Sequence, residues 1–162
     1  MGQTPAPRRR ARPVAVTVLA VATSVTGCLG SVHTTAHTAA LNDEVHVGAF
    51  AFTVKSVDIG TPKIGIRTAQ GVFVVVQFTA KNISDTPRSV YCQNQKLKDL
   101  AGRTFDDAVN VGNGEDLLNV NPGKQVRFGC AFDVPKGTLP GTVEIHDSAY
   151  SKGVPVTVLE RR

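Results

Sequence analysis

The chain predicts an all-β domain, an antiparallel β-sandwich of about seven strands. Three observations carry that expectation. Apolar residues alternate with polar ones through much of the stretch from Asn42 onward. Clusters rich in Gly, Pro, Asn and Asp interrupt the alternation every 8–15 residues or so. No segment shows convincing 3.6-residue periodicity, although Glu115-Asp116-Leu117-Leu118 could form one helical turn.

The elements follow in order. Arg8-Arg9-Arg10-Ala11-Arg12 opens a leader, and an apolar run from Val14 to Val25 continues it. The arginines favour the cytoplasmic side of a membrane. The apolar run has the length of a signal-peptide core and falls short of the roughly 18–20 residues that span a bilayer. Val25-Thr26-Gly27-Cys28 then looks like a bacterial lipobox. Residues 1–27 are therefore expected to be a lipoprotein signal peptide, and Cys28 to become a lipidated N-terminus. Three rivals stay open, the first being a transmembrane anchor. Ala20-Val21-Ala22 fits an ordinary secretory cut, and the arginine-rich start allows twin-arginine export in place of the general route.

Residues 28–41 are small, polar and nearly uncharged, as expected of a flexible tether. As random coil they would reach about 20 Å. His33 and His37 fall within this stretch and read as solvated. The domain proper is expected over residues 42–162. Val45, Val47, Phe50, Phe52 and Val54 mark a first strand pair, with a register slip at Gly48-Ala49 that suggests a bulge. Gly60-Thr61-Pro62-Lys63 reads as a break. Gly71 to Ala80 is the strongest strand; Val72, Val74, Val76 and Phe78 share one face, and Phe73 and Val75 the other. A strand apolar on both faces belongs near the middle of a packed sheet.

Asn82 to Pro87 is a turn cluster, and Ser89 to Lys98 alternates again as one strand. Asp99 to Arg103 turns into a short strand at Thr104-Phe105. Asp106 to Asn121 reads as a polar loop, closed by Asn121-Pro122-Gly123. Strands at Gln125–Val134, Thr142–Asp147 and Val154–Leu159 complete the pattern.

Charge and cysteines bound the function. The whole chain is +5, but four arginines belong to the leader, leaving 14 of its 18 basic residues against 13 acidic ones. A mature domain at about +1 has no electrostatic footprint for phosphate backbones, so nucleic acid is not an expected partner. Of three cysteines, lipidation would remove Cys28 and leave Cys92 and Cys130. In an oxidising compartment such a pair defaults to a disulfide; two buried free thiols are the rival. Spacing does not tell whether the bond would cross between sheets.

Several landmarks, taken in order, resemble a known family. They are Gly71-Val-Phe-Val-Val-Val-Gln-Phe-Thr-Ala-Lys-Asn-Ile-Ser-Asp85, Lys98-Asp-Leu-Ala-Gly-Arg103, Asn121-Pro-Gly123 and Phe132-Asp-Val-Pro135. The family comprises exported Gram-positive (actinobacterial) proteins of unknown function. Members are often lipoproteins with an immunoglobulin-like sandwich, related to the mycobacterial immunoprotective extracellular antigen, and some are labelled telomeric repeat-binding factors. The resemblance implies an immunoglobulin-like fold and an envelope location, and it implies no catalytic residues.

Candidate chemistry is sparse. Glu144-Ile145-His146-Asp147-Ser148 groups three catalytic residue types, but neighbours on a strand point to opposite faces. Val143 and Ile145 are expected in the core, with Glu144 and His146 in solvent. Asp106, Asp107, Glu115 and Asp116 are weak calcium candidates in a loop that lacks EF-hand spacing. Lys96-Leu97-Lys98 reads as a solvated face. The expected function is a lipid-anchored protein on the outer face of the cell membrane. Its domain would act as a non-enzymatic binding module for an envelope protein or component, without a cofactor. The alternative is a carrier or sensor of a small ligand or metal ion.

Overall fold

A computed structural model of the chain describes Gly2 and residues 38–112 and 117–159. The expected signal peptide, Cys28, most of the tether, Glu115 and Asp116 lie outside the described residues. Twelve strands form among those described: β1 (Ala39–Ala40), β2 (Glu44–Val47), β3 (Phe50–Ile64), β4 (Arg67–Asn82), β5 (Arg88–Tyr91), β6 (Lys96–Asp99), β7 (Thr104–Phe105), β8 (Val109–Asn110), β9 (Leu117–Val120), β10 (Gln125–Val134), β11 (Pro140–Ile145) and β12 (Val154–Thr157). One sheet has the order β2-β3-β4-β10-β8, a second β1-β12-β11-β6-β7, and β5 pairs with β9 as a ribbon. All pairings are antiparallel except β1 with β12. The result is the β-sandwich that the alternation predicts.

The two sheets close on one core because strand alternation sends every second side chain inward. Phe50, Phe52, Val54, Val74, Val76, Phe78, Phe128 and Phe132 come from the first sheet. Leu97, Val143, Ile145 and Val156 meet them from the second. Phe50 and Phe52 are tilted rings 5.4 Å apart, and Phe78 and Phe128 are stacked at 5.2 Å. Each fully buried phenylalanine stabilises the fold by about 1.5–3 kcal/mol relative to exposure.

The first sheet is apolar on its outer face as well. Phe73, Val75 and Ala131 form a second buried cluster there. Ile64 and Ala69 from the β3–β4 tip, with Val109 and Val111, pack against it. The tip, here called the hook, thus adds to the apolar cluster on that outer face, which accounts for the two-faced apolar pattern of β4.

Several expectations are corrected. Gly48-Ala49 is no bulge but the two-residue loop joining β2 to β3, with Val47 paired to Phe50. Gly48 has φ +55°, as a glycine-first hairpin loop requires, and any Cβ there would collide with the Asp147 carboxylate. The irregularities lie further along β3, between Val54 and Ser56, between Ile59 and Thr61 and between Thr61 and Lys63. The expected break at Gly60–Lys63 is part of that irregular pairing. The strand expected over Ser89–Lys98 is two: β5 belongs to the ribbon and β6 to the second sheet, with a 3-10 turn at Cys92–Asn94 between them. The loop expected from Asp106 to Asn121 contains β8 and β9. Ala39 and Ala40, expected in the tether, pair with Val156 and Thr157.

Cys92 and Cys130 are disulfide-bonded with a Cα separation of 5.3 Å. Cys92 stands where the chain passes from the ribbon to the second sheet, and Cys130 is on β10 of the first. The bond therefore ties the crossing segment to a central strand of the opposite sheet. Closing a 38-residue separation stabilises by about 4 kcal/mol on the chain-entropy account.

Candidate functional site

The motifs that read as family landmarks are corners of the sandwich. Asn82 ends β4 and is fully buried. Its Nδ2 donates to the Thr86 and Val120 carbonyls, both at 2.8 Å. Its Oδ1 accepts from the Ser84 amide at 2.9 Å and the Ser84 hydroxyl at 2.7 Å. The Gly123 amide donates to the Asn82 carbonyl, and the Asn82 amide to that of Lys124. One side chain thus joins the Asn-Ile-Ser turn to the Asn-Pro-Gly turn, which lie far apart in sequence.

Asp99 does the same for the β6–β7 hairpin. Its carboxylate accepts from the Arg103 amide at 2.8 Å and from Arg103 Nε at 2.6 Å. Burial raises the Asp99 pKa, but the hydrogen bonds and charge of Arg103, with the Ala101 amide, outweigh it and hold the carboxyl below its ordinary value. Asp133, in the Phe-Asp-Val-Pro segment, accepts from the amides of Gln70 at 2.7 Å and Gly71 at 3.2 Å. Gln95 has no counterpart in the sequence reading. It is fully buried; its Nε2 donates to the carbonyls of Tyr91 and His146, and its Oε1 accepts from the His146 amide at 3.0 Å. Nothing in the stretch Gln93-Asn-Gln-Lys96 marks it out beforehand, because its partner lies 51 residues away.

His146 is buried, at 5% exposure, and not in solvent as expected. Strand β11 ends at Ile145, so alternation no longer governs the next residue. His146 Nδ1 lies 3.0 Å from the Ser151 carbonyl, and Nε2 lies 3.3 Å from Glu144 without forming a hydrogen bond. The Ser151 hydroxyl donates to the Ser148 carbonyl. Glu144 in turn pairs with Lys98 at 2.6 Å, so the Lys96-Leu97-Lys98 face is not merely solvated. That Lys98 hydrogen bond lowers the Glu144 pKa against the opposing effect of burial, with further help from the charges of Lys98, His146 and Lys96. The group closes on itself beneath Gly153, where any Cβ would collide with Glu144 and His146.

Asp106 and Asp107 have no such structural task. Both are exposed and line a cleft of about 680 Å³ at the end of the sandwich, with Phe105, Phe132, Asp133 and Lys136. Glu115 and Asp116 lie outside the described residues, so the four calcium candidates are not assembled. Among the described residues no three His, Cys, Asp or Glu side chains are placed to hold a metal ion. Gln70 and Gly71 of β4 form part of the cleft wall, and further along the same hairpin the hook presents Ile66 at 97% exposure and Ile59 at 51%. Lys63 and Arg67 flank Ile66 and are exposed. Among the described residues these two cations and Asp106 and Asp107 make no ion pair.

Comparison with solved structures supports the architecture. The yjhA protein from Bacillus subtilis superposes with a TM-score of 0.57 at 16% identity, covering 75% of this chain and 100% of that one. MPT63, a secreted protein from Mycobacterium tuberculosis, gives 0.56 at 16% identity, covering 74% and 95%. Likeness at this identity speaks for the fold alone. No curated protein matches the chain in sequence. A family model described as a domain of unknown function, DUF4352, matches residues 39–156. Its span takes in β1 through the core of β12, all four corner motifs and the disulfide, and the chain belongs to the DUF4352 family.

Proposed function

We propose that this chain is a lipid-anchored protein of the cell envelope whose sandwich serves as a non-enzymatic binding module. The Val25-Thr26-Gly27-Cys28 pattern supports the anchor. The similar fold of a secreted mycobacterial protein is consistent with an extracytoplasmic place of work. The observation that carries the binding role is the division of polar groups. Asn82, Gln95, Asp99 and His146 are buried and hold the fold together. Lys63, Arg67, Asp106 and Asp107 make no ion pair among the described residues and are exposed, as is Ile66. The first two lie on the β3–β4 tip, and the aspartates in the cleft that Gln70 and Gly71 of β4 also line. Loops and turns on a rigid scaffold are the usual place for recognition. Among the described residues, the His146 ring lies near Ser151, but that serine hydroxyl donates to the Ser148 carbonyl and the ring is buried.

Membrane fractionation of cells expressing wild type and Cys28→Ala tests the anchor. Wild type is expected with membranes and the variant in the aqueous fraction, both folded. Wild type found wholly in the aqueous fraction would contradict the anchor.

A second reading, a carrier of a small ligand or metal ion, is favoured by the size of the cleft and the two free carboxylates in it. Thermal shift with calcium, copper and zinc separates the two. A rise in melting temperature that Asp106→Asn and Asp107→Asn abolish would favour the carrier.

A further inference from the structure

We infer that the hook and the end cleft are the two halves of one self-complementary contact, and that the partner they fit is a second copy of this chain. The inference rests on the binding reading only for the location of the surface, not on the lipid anchor.

The two halves match in chemistry. The hook carries Lys63 and Arg67 around Ile66. The cleft carries Asp106, Asp107 and Asp133, opposed only by Lys136, with Phe105 in its lining. A cationic turn with an apolar tip thus faces a mainly anionic cleft with an aromatic wall. Charge complementarity of this kind fixes partner and register, and removing the tip from water adds a favourable term.

The hook cannot serve its own cleft. Ile64 and Ala69 hold it against Phe73, Val75 and Ala131 on the outer face of the first sheet. The cleft is lined instead by Phe132 and Val134, which point into the space between the sheets. The hook root, Gln70-Gly71, is pinned by Asp133, and Gly71 lies so close to the Val134 carbonyl that no Cβ fits. The turn and the cleft therefore stay separate within one chain. Two copies, each bearing both halves, can satisfy both at once across a two-fold axis, the commonest symmetry of homodimers.

A single anionic surface, such as a membrane rich in acidic lipids, is the competing occupant for the hook. Such a surface would match the cations of the hook and leave the carboxylates of the cleft unmatched, whereas a second copy matches both.

The test is a charge exchange on the full chain in mild detergent, followed by sedimentation. Wild type is expected to form a dimer. Arg67→Asp alone and Asp107→Arg alone should each weaken it by about tenfold or more. Mixing the two variants should restore it, because both contacts in the mixed dimer again join opposite charges. Both positions are exposed, and unchanged melting temperatures confirm that folding is intact. A monomer at every concentration, or a dimer indifferent to both substitutions, overturns the inference. So does binding to vesicles of anionic lipid that Arg67→Asp abolishes and Asp107→Arg strengthens. If a photo-crosslinker at Ile66 captures a different protein in cells, self-pairing fails while the binding reading stands. If it captures nothing and the chain is monomeric, both fail.

Discussion

The Asn82 corner and the β3–β4 hook lie at opposite ends of strand β4, yet they are built on opposite terms. At the corner every polar atom of a buried asparagine is bonded, and two turns far apart in sequence are fastened together. At the hook two cations stand without ion pairs among the described residues, and Ile66 is almost wholly in solvent. Buried polar groups are costly unless satisfied, so the corner's residues are fixed by folding. The hook's tip answers no such demand. The difference teaches where to look for function: among groups whose chemistry the fold does not use.

Substitutions can break or sharpen this contrast. The largest effect should come from the core that both regions frame. Phe52→Ala should destabilise by about 3–5 kcal/mol in chemical denaturation. Loss of the disulfide through Cys92→Ala with Cys130→Ala should follow closely, at about 4 kcal/mol. Asn82→Ala should cost about 2–3 kcal/mol, because it strands the Val120 and Thr86 carbonyls. Ile66→Ser should fall within about 0.5 kcal/mol of wild type, as exposed positions do. A hook substitution as damaging as Asn82→Ala would erase the contrast.

Acid should weaken the latches at Asp99 and Glu144. Asp99 and Glu144 are both held below their ordinary values, 3.8 and 4.5. A carboxylate with a depressed folded pKa stabilises fully above its unfolded value, and that contribution is lost as pH falls through the folded one. The melting temperature should therefore hold between neutral pH and about pH 5 and decline below about pH 4. Asp99→Asn should start lower and show a shallower decline. An unchanged acid profile in that variant would remove Asp99 from the account.

Much of the scaffold was legible in the sequence. Period-two alternation located the cores of β2, β3, β4, β10 and β11, because burial of one face imposes it directly. The cysteine pair was legible from count and compartment. The turn residues of the corners were legible as turns, but not as partners, since Asn82 and Val120 meet only through the sheet topology. Gln95 was invisible for the same reason, its contacts with His146 being long-range. His146 was misplaced because alternation was carried one residue past the end of β11. The hook was read as a break because bulges hide a strand's periodicity. Of the candidate site, the two aspartates were singled out, whereas their neighbours in the cleft come from β4, β7 and β10 and share no sequence pattern.

The most direct test of the division between scaffold and working surface places a photo-crosslinking residue at Ile66 of the hook or at Ile83 of the corner, both exposed, in the full chain in cells. The account predicts a crosslinked product from position 66 with twice the mass of the chain, and none from position 83. A product from position 83 with none from position 66 would contradict it.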